Sequence, residues 1–335
     1  MRKKITVFIT IPDNNLRAQL FLPETIDRLG EIAEFEFNPL DRELDEWEII
    51  TYGYEKDAII TGWGTHQITE KVIERLPKLK FIGHTAGSVS HLVTDDFFKH
   101  SIMLTNANEV LSSAVAEYCM MMTLVGFWEM IDIVNTVKEG NWRSNEDIVD
   151  GIGGKTIGII GYGSISKEYI RLLATYDVKI LVYSSHCSEI TALEEGFQLA
   201  DLEQVLGCDL VSLHSTLNEH TYNMLGAKEL SKIKDGAILI NTARAGLIQE
   251  QALWNELQTG RFRAILDVFH QEPLQADNPL RNMKNVIITP HAAGTNRYWR
   301  SQQAKEVIRD MELYFTGGLP NNPIDLKQYK RMTVK

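Results

Sequence analysis

Thr156-Ile-Gly-Ile-Ile-Gly-Tyr-Gly-Ser-Ile-Ser166 is the stretch on which the fold turns. Its first five residues form a short apolar run bounded by glycine, the pattern of a buried parallel strand. Gly161 permits a tight turn, and Gly163 lets backbone N–H groups approach a pyrophosphate with no Cβ in the way. Helix periodicity follows at once, so a bound anion would sit at the positive end of a helix dipole. Ser166 replaces the third glycine of the G-x-G-x-x-G pattern, where a small residue is needed for helix–strand packing. An ordinary βα turn can also show G-x-G. The strand before, the helix after and a further strand at Lys179 favour a dinucleotide site.

Apolar runs recur outward from this turn. Residues 179–183, 210–213, 237–240, 264–267 and 286–289 join 156–160 as six strand candidates, with helical patterns such as 167–176 and 251–259 between them. This alternation predicts a doubly wound, Rossmann-type parallel sheet. The N-terminal third repeats it, with apolar runs at 5–11, 58–61 and 79–83. A helical stretch from about 109 to 138 would carry the chain between two domains. Helix periodicity at 296–315, stopped by Gly317-Gly318, would return it to the first. The expectation is α/β throughout: a dinucleotide-binding domain over 105–296, and a discontinuous substrate domain from 1–104 and 297–335.

The 335 residues are 44% hydrophobic and 24% charged, ordinary for a folded chain and ample for two cores. Acidic residues outnumber basic ones 45 to 34, a formal charge of −11 that repels phosphate backbones and anionic bilayers. Nucleic acid and membrane are therefore not expected partners. Cys119, Cys187 and Cys208 stand far apart with no C-x-x-C pair, which fits the reducing cytoplasm and implies no metal site. The richest apolar stretch, 118–130, reads as a buried helix.

In such a sheet a carboxylate at the end of the second strand ordinarily holds the adenosine ribose 2′-hydroxyl. Here the strand ends Tyr183-Ser-Ser-His186, with Ser184 at that place. Serine can bond a ribose and would not repel a 2′-phosphate, but no arginine stands nearby to pair with one. The missing basic clamp points to NAD and leaves NADP open.

Three further segments follow in order: Ile240-Asn-Thr-Ala-Arg-Ala-Gly246, Leu266-Asp-Val-Phe-His-Gln-Glu-Pro-Leu274 and Thr289-Pro-His-Ala-Ala-Gly294. With the G-x-G turn they resemble the D-isomer-specific 2-hydroxyacid dehydrogenases, strongly over about 105–291 and more faintly elsewhere. The resemblance implies hydride transfer between a nicotinamide cofactor and a small 2-oxo or 2-hydroxy acid. It also implies a homodimer, and a flavodoxin-like α/β fold for the domain built from both chain ends. The family's catalytic arginine, glutamate and histidine fall on Arg244, Glu272 and His291. Their chemistry suits the reaction. A guanidinium fork can engage the carboxylate and adjacent ketone of a 2-oxo acid together. Histidine titrates near neutrality and can give a proton to the new alkoxide, or take it back. A glutamate on the other ring nitrogen fixes the tautomer, and the hydride belongs to the cofactor. Taken singly, Arg244 reads as a surface residue, Glu272 as a turn residue and His291 as a helix cap. All three at strand ends favour catalysis.

The resemblance further implies that Ser164 and Ile165 cover the pyrophosphate and that Thr216 lies beside the adenine. Thr242 and Ala243 would line the nicotinamide ribose, and Asp267 would accept from the carboxamide. In His84-Thr-Ala-Gly-Ser-Val-Ser-His91, backbone N–H groups around Ala86, Gly87 and Ser88 would hold the substrate carboxylate. Trp63 and Gly64 stand where phosphoglycerate-type members carry a cation. The expected substrate tail is therefore uncharged and packs on Trp63, with 3-phosphoglycerate a poor substrate. A reading from another class is a non-catalytic NAD(H)-sensing protein of the co-repressor type. The intact Arg244, Glu272 and His291 weigh against it.

Overall fold

The computed structural model describes residues 4–142, 144 and 148–332. The chain divides into two compact units, Met1–Leu111 with Thr295–Lys335, and Ser112–Gly294.

The first unit is built on five parallel strands, β1 (Ile5–Ile9), β2 (Ala33–Phe37), β3 (Ala58–Thr61), β4 (Phe81–His84) and β5 (Met103–Asn106). Their order, β2-β1-β3-β4-β5, is the flavodoxin-like one. Every residue of β3 and β4 is buried, because both faces of a parallel sheet are covered. The helix Arg297–Phe315, capped by Asn296, covers one face with Ala304, Val307, Ile308 and Met311. Gly83 must lack a side chain, since Val307 occupies the space a Cβ would take. β5 hydrogen-bonds to β4 along its whole length, so this segment runs past residue 104 to Leu111.

The second unit carries seven parallel strands, β6 (Lys155–Ile160), β7 (Val178–Tyr183), β8 (Gln198–Leu199), β9 (Leu210–Leu213), β10 (Ile238–Asn241), β11 (Arg263–Leu266) and β12 (Val286–Ile288). Their order is β12-β11-β10-β9-β6-β7-β8. The six expected strands are present, and β8 is additional, pairing with β7 at the sheet edge. Strand order reverses between β6 and β9. Ligands bind at such a switch point, beyond the carboxyl ends of the strands.

The helix Asn108–Phe127 is long and apolar enough to cross a membrane by length and composition. Its Val115, Ala116, Cys119, Met120 and Phe127 nonetheless pack against Ile157, Ile159 and Ile238 in the core of the second unit. The single helix expected over 109–138 is broken. Glu129 takes a left-handed conformation (φ +48°) with its carboxylate 2.8 Å from Arg263, and a separate helix runs Met130–Lys138. No residue of that second helix is buried, and it presents Met130, Ile133, Val134 and Val137 to the surface.

Candidate active site

The candidate residues of the second unit follow strand ends: Gly161 after β6, Ser184 after β7, Thr216 after β9, Thr242 to Arg244 after β10, Asp267 after β11 and His291 after β12. Parallel strands bring all these ends to one edge. Along it the order is His291, Asp267, Arg244, Thr216, Gly161, Ser184. A cluster with acid–base chemistry thus stands at one end and a phosphate turn further along, with the ribose position beyond.

Gly161 has φ +99°, and a Cβ there would lie 2.6 Å from the Ser215 nitrogen, so only glycine fits. Gly163 caps the helix Ser164–Leu173 in an extended conformation, and a Cβ there would meet nothing within 4 Å. This side of the turn is open to a ligand. Ser166 does more than leave room for packing: it is buried, and its hydroxyl donates to the Gly161 carbonyl at 2.8 Å. Ile165 packs into the core, and the Ser184 oxygen accepts the His186 N–H at 3.2 Å. Thr216 is exposed, its carbonyl accepting the Thr221 hydroxyl at 2.6 Å.

At the other end, His291 Nδ1 lies 2.7 Å from Glu272 Oε2, while Glu272 Oε1 accepts the Phe269 N–H at 2.9 Å. Burial pushes the Glu272 carboxyl up. The bonds from His291 and Phe269 outweigh it, with help from the His291 and Arg244 charges, and hold the group below its ordinary value. Glu272 is therefore an acceptor at neutral pH, which leaves His291 Nε2 as the ring atom able to exchange a proton. The Arg244 guanidinium donates to the Ala243 carbonyl at 2.6 Å. Burial pulls its pKa down while Glu272 pushes back. The helix that follows is capped by Asn296, which removes the capping role considered for His291.

Side chains that carry no catalytic signature hold these groups in place. Asn241, buried at the end of β10, accepts the Ala243 N–H at 3.0 Å and donates to the Arg244 carbonyl at 3.0 Å. It folds the backbone that carries the guanidinium. Asp267 is fully buried, and its carboxylate accepts the Thr289 hydroxyl (2.6 Å) and the N–H groups of Ala292 (2.8 Å) and Ala293 (2.9 Å). It ties down both sides of His291, which sits at φ +53°. The Thr289 proton is directed at Asp267, so the Tyr118 hydroxyl, 2.6 Å away, donates to Thr289. Burial pushes Tyr118 up to about 12, which keeps it a donor. The carboxamide contact expected of Asp267 would add to three donors already in place. The one signal for Asn241 and Thr289 in the sequence was a polar residue at the very end of a strand.

The family model for the D-isomer specific 2-hydroxyacid dehydrogenase, NAD binding domain, matches residues 120–293. The chain is also 31% identical over 303 residues to the glyoxylate reductase of Korarchaeum cryptofilum, covering 86% of this chain and 91% of that one. The chain belongs to the D-isomer-specific 2-hydroxyacid dehydrogenase family. It is an NAD(P)-dependent oxidoreductase that transfers hydride to or from a small 2-oxo or 2-hydroxy acid. The D-3-phosphoglycerate dehydrogenase of Methanocaldococcus jannaschii is 29% identical over 306 residues, covering 90% of this chain and 57% of that one. The structure of an acyclic imino acid reductase in complex with NADPH and D-Arg matches with a TM-score of 0.77 at 26% identity, covering 96% of this chain and 100% of that one.

The first unit of this 2-hydroxyacid dehydrogenase also carries its candidate residues at strand ends. After β4, the Ala86 carbonyl accepts the Ala107 N–H at 3.0 Å, and the Gly87 carbonyl accepts the Asn106 side-chain amide. A trans peptide points its N–H opposite its C=O. The amides of Gly87 and Ser88 are therefore turned away from β5. Trp63 follows β3 in a turn pinned by Thr65, whose hydroxyl oxygen accepts the Gly62 N–H at 3.1 Å and lies 2.9 Å from the Thr10 hydroxyl. The Trp63 ring is not the bare apolar face expected. The Arg300 guanidinium lies 4.4 Å from its centroid, so a cation reaches this loop from the helix Arg297–Phe315.

Proposed function

We propose that this dehydrogenase reduces short 2-oxo acids, with Arg244, Glu272 and His291 as its catalytic residues. Arg244 holds the substrate carboxylate and polarises the ketone. Bound nicotinamide supplies the hydride to the carbonyl carbon. His291 Nε2 gives its proton to the carbonyl oxygen, leaving a 2-hydroxy acid, and Glu272 holds the ring in register for that transfer. The 2.7 Å contact between His291 Nδ1 and Glu272 carries this reading, because it orients a proton donor at the same sheet edge as a half-buried guanidinium. Gly161, Gly163, Ser164 and Ile165 would hold the pyrophosphate, and Ser184 the adenosine ribose. Thr216 would lie beside the adenine, and Thr242, Ala243 and Asp267 beside the nicotinamide and its ribose. The amides of Ala86, Gly87 and Ser88 would receive the substrate carboxylate, with Trp63 next to them.

Oxidation of NADH and NADPH, followed against glyoxylate, hydroxypyruvate and pyruvate, tests the proposal. Turnover is expected, with NADH preferred by about tenfold or more because no basic clamp stands at Ser184. No turnover with any 2-oxo acid would return the protein to the NAD(H)-sensing reading, and equal use of NADPH would overturn the cofactor preference.

We also propose a homodimer, with a second copy covering the exposed apolar face of Met130–Lys138. Trp128 and Met121, just before it in the chain, are also exposed, and Met130 and Val137 are 40% and 50% exposed. Burial of such a face against a copy is its ordinary fate. Light scattering should give twice the mass of one chain, and Ile133→Glu with Val137→Glu should give a single one. A wild-type monomer sinks the idea. The free thiols, two of them buried, support a cytoplasmic setting, which fractionation of source cells tests.

A further inference from the structure

Trp63 and the loop from Thr85 to Ser88 follow neighbouring strands, β3 and β4, whose register sets Thr61 against His84. Strands so paired lie about 4.8 Å apart. The approach continues beyond the strand ends, since a Cβ on Gly62 would lie 3.3 Å from the Thr85 hydroxyl. The Trp63 turn and the amides of Gly87 and Ser88 therefore stand side by side at one edge of the first unit's sheet. The Arg300 guanidinium carbon lies 4.4 Å from the centroid of that indole.

Among the described residues, six arginines of this acidic chain, Arg17, Arg28, Arg42, Arg171, Arg261 and Arg263, are neutralised by a carboxylate. Arg300 holds none among the described residues, and its Nε is buried without a hydrogen-bond partner. Burial pulls its pKa down, as it does for Arg244. Withdrawing a guanidinium from water without a counter-ion costs stability, and stacking on an indole recovers only part of that cost. Gln303, one turn further along the same helix face, is fully buried with both amide atoms unpartnered. A guanidinium without a counter-ion among the described residues thus lies against Trp63, next to the loop that would receive the substrate carboxylate.

We infer that Arg300, held against Trp63, binds a second carboxylate at the far end of the substrate, so that the preferred substrates are 2-oxo dicarboxylates. The inference rests on the proposed reduction of 2-oxo acids and names the class of acid. A guanidinium fork offers two parallel N–H donors to one carboxylate, and the indole beside it limits the freedom of the side chain. The closeness of the two loops suits a chain of about four or five carbons between and including the two carboxylates. A phosphate dianion would call for a second cation, which residues 63–64 do not supply.

The experiment follows NADH oxidation by the full chain with 2-oxopentanedioate and with 2-oxopentanoate, which has the same length and one carboxylate. Wild-type enzyme should favour the dicarboxylate in kcat/KM by about tenfold or more. Arg300→Gln should reduce that ratio at least tenfold, chiefly through KM, and Arg300→Lys should fall between. Thermal melting of each variant reports on folding, and the ratio cancels any general loss of active enzyme. A wild-type ratio near one, or an equal loss on both acids in Arg300→Gln, overturns the inference. So does a larger Arg300 dependence for 3-phosphohydroxypyruvate over hydroxypyruvate, which would make the site one for phosphate. Absence of turnover with every acid defeats the proposed function itself, whereas turnover without selectivity defeats this inference alone.

Discussion

Replacing His291 with glutamine should lower kcat for 2-oxo acid reduction by about 10²–10⁴-fold while NADH still binds. The glutamine side chain can hydrogen-bond but cannot deliver a proton to a forming alkoxide, so the loss should fall on kcat. Fluorescence titration with NADH isolates cofactor binding, and single-turnover kinetics isolate the chemical step. A variant that retains near wild-type kcat would remove His291 from the proton path. The pH profile adds a signed expectation. The Glu272 carboxyl is held below its ordinary value, so it stays ionised and keeps orienting His291 as pH falls through the usual carboxylate range. The contribution of this pair to stability is present above the unfolded-state pKa and fades only as pH drops through the lowered folded-state one. Glu272→Gln should abolish that acid-side titration in kcat.

Arg244→Lys should lose about 10²–10³ in kcat/KM although the charge is kept. The guanidinium can bond a carboxylate and a ketone from one rigid plane, and an ammonium cannot. Asn241 fixes the backbone from which the side chain projects, so a lysine there could not recover the geometry by shifting the loop. Steady-state kinetics on the best monocarboxylate measures the effect. Retention within about tenfold would mean that charge alone suffices, and the bidentate role would fall.

The framework of the second unit was legible because fully buried parallel strands read as apolar runs, and because functional residues in such sheets follow strand ends. The candidate residues Gly161, Arg244, Asp267 and His291 all follow strand ends. Other features depend on contacts that no local pattern records. The edge strand Gln198–Leu199 is too short to show alternation or an apolar run. The break at Glu129 falls on a non-glycine residue, after a Gly126 that is itself still helical, and is accompanied by an ion pair with Arg263, far along the chain. Asn241 and Thr289 act through hydrogen bonds whose partners are set by the turn, so neither could be told from an ordinary polar loop residue. Arg300 was invisible as a neighbour of Trp63 because only the completed fold brings the two segments together.

That discontinuity bears on how the molecule is made. A ribosome releases β1 to β5 long before it has synthesised Val307 or Met311, whose side chains join Val7, Ile60 and Phe81 in one core. Residues 112–294 are contiguous and can close their own core as they emerge. The nascent chain must therefore carry an uncovered apolar sheet face through most of its synthesis, and the unit begun first is the last to be finished.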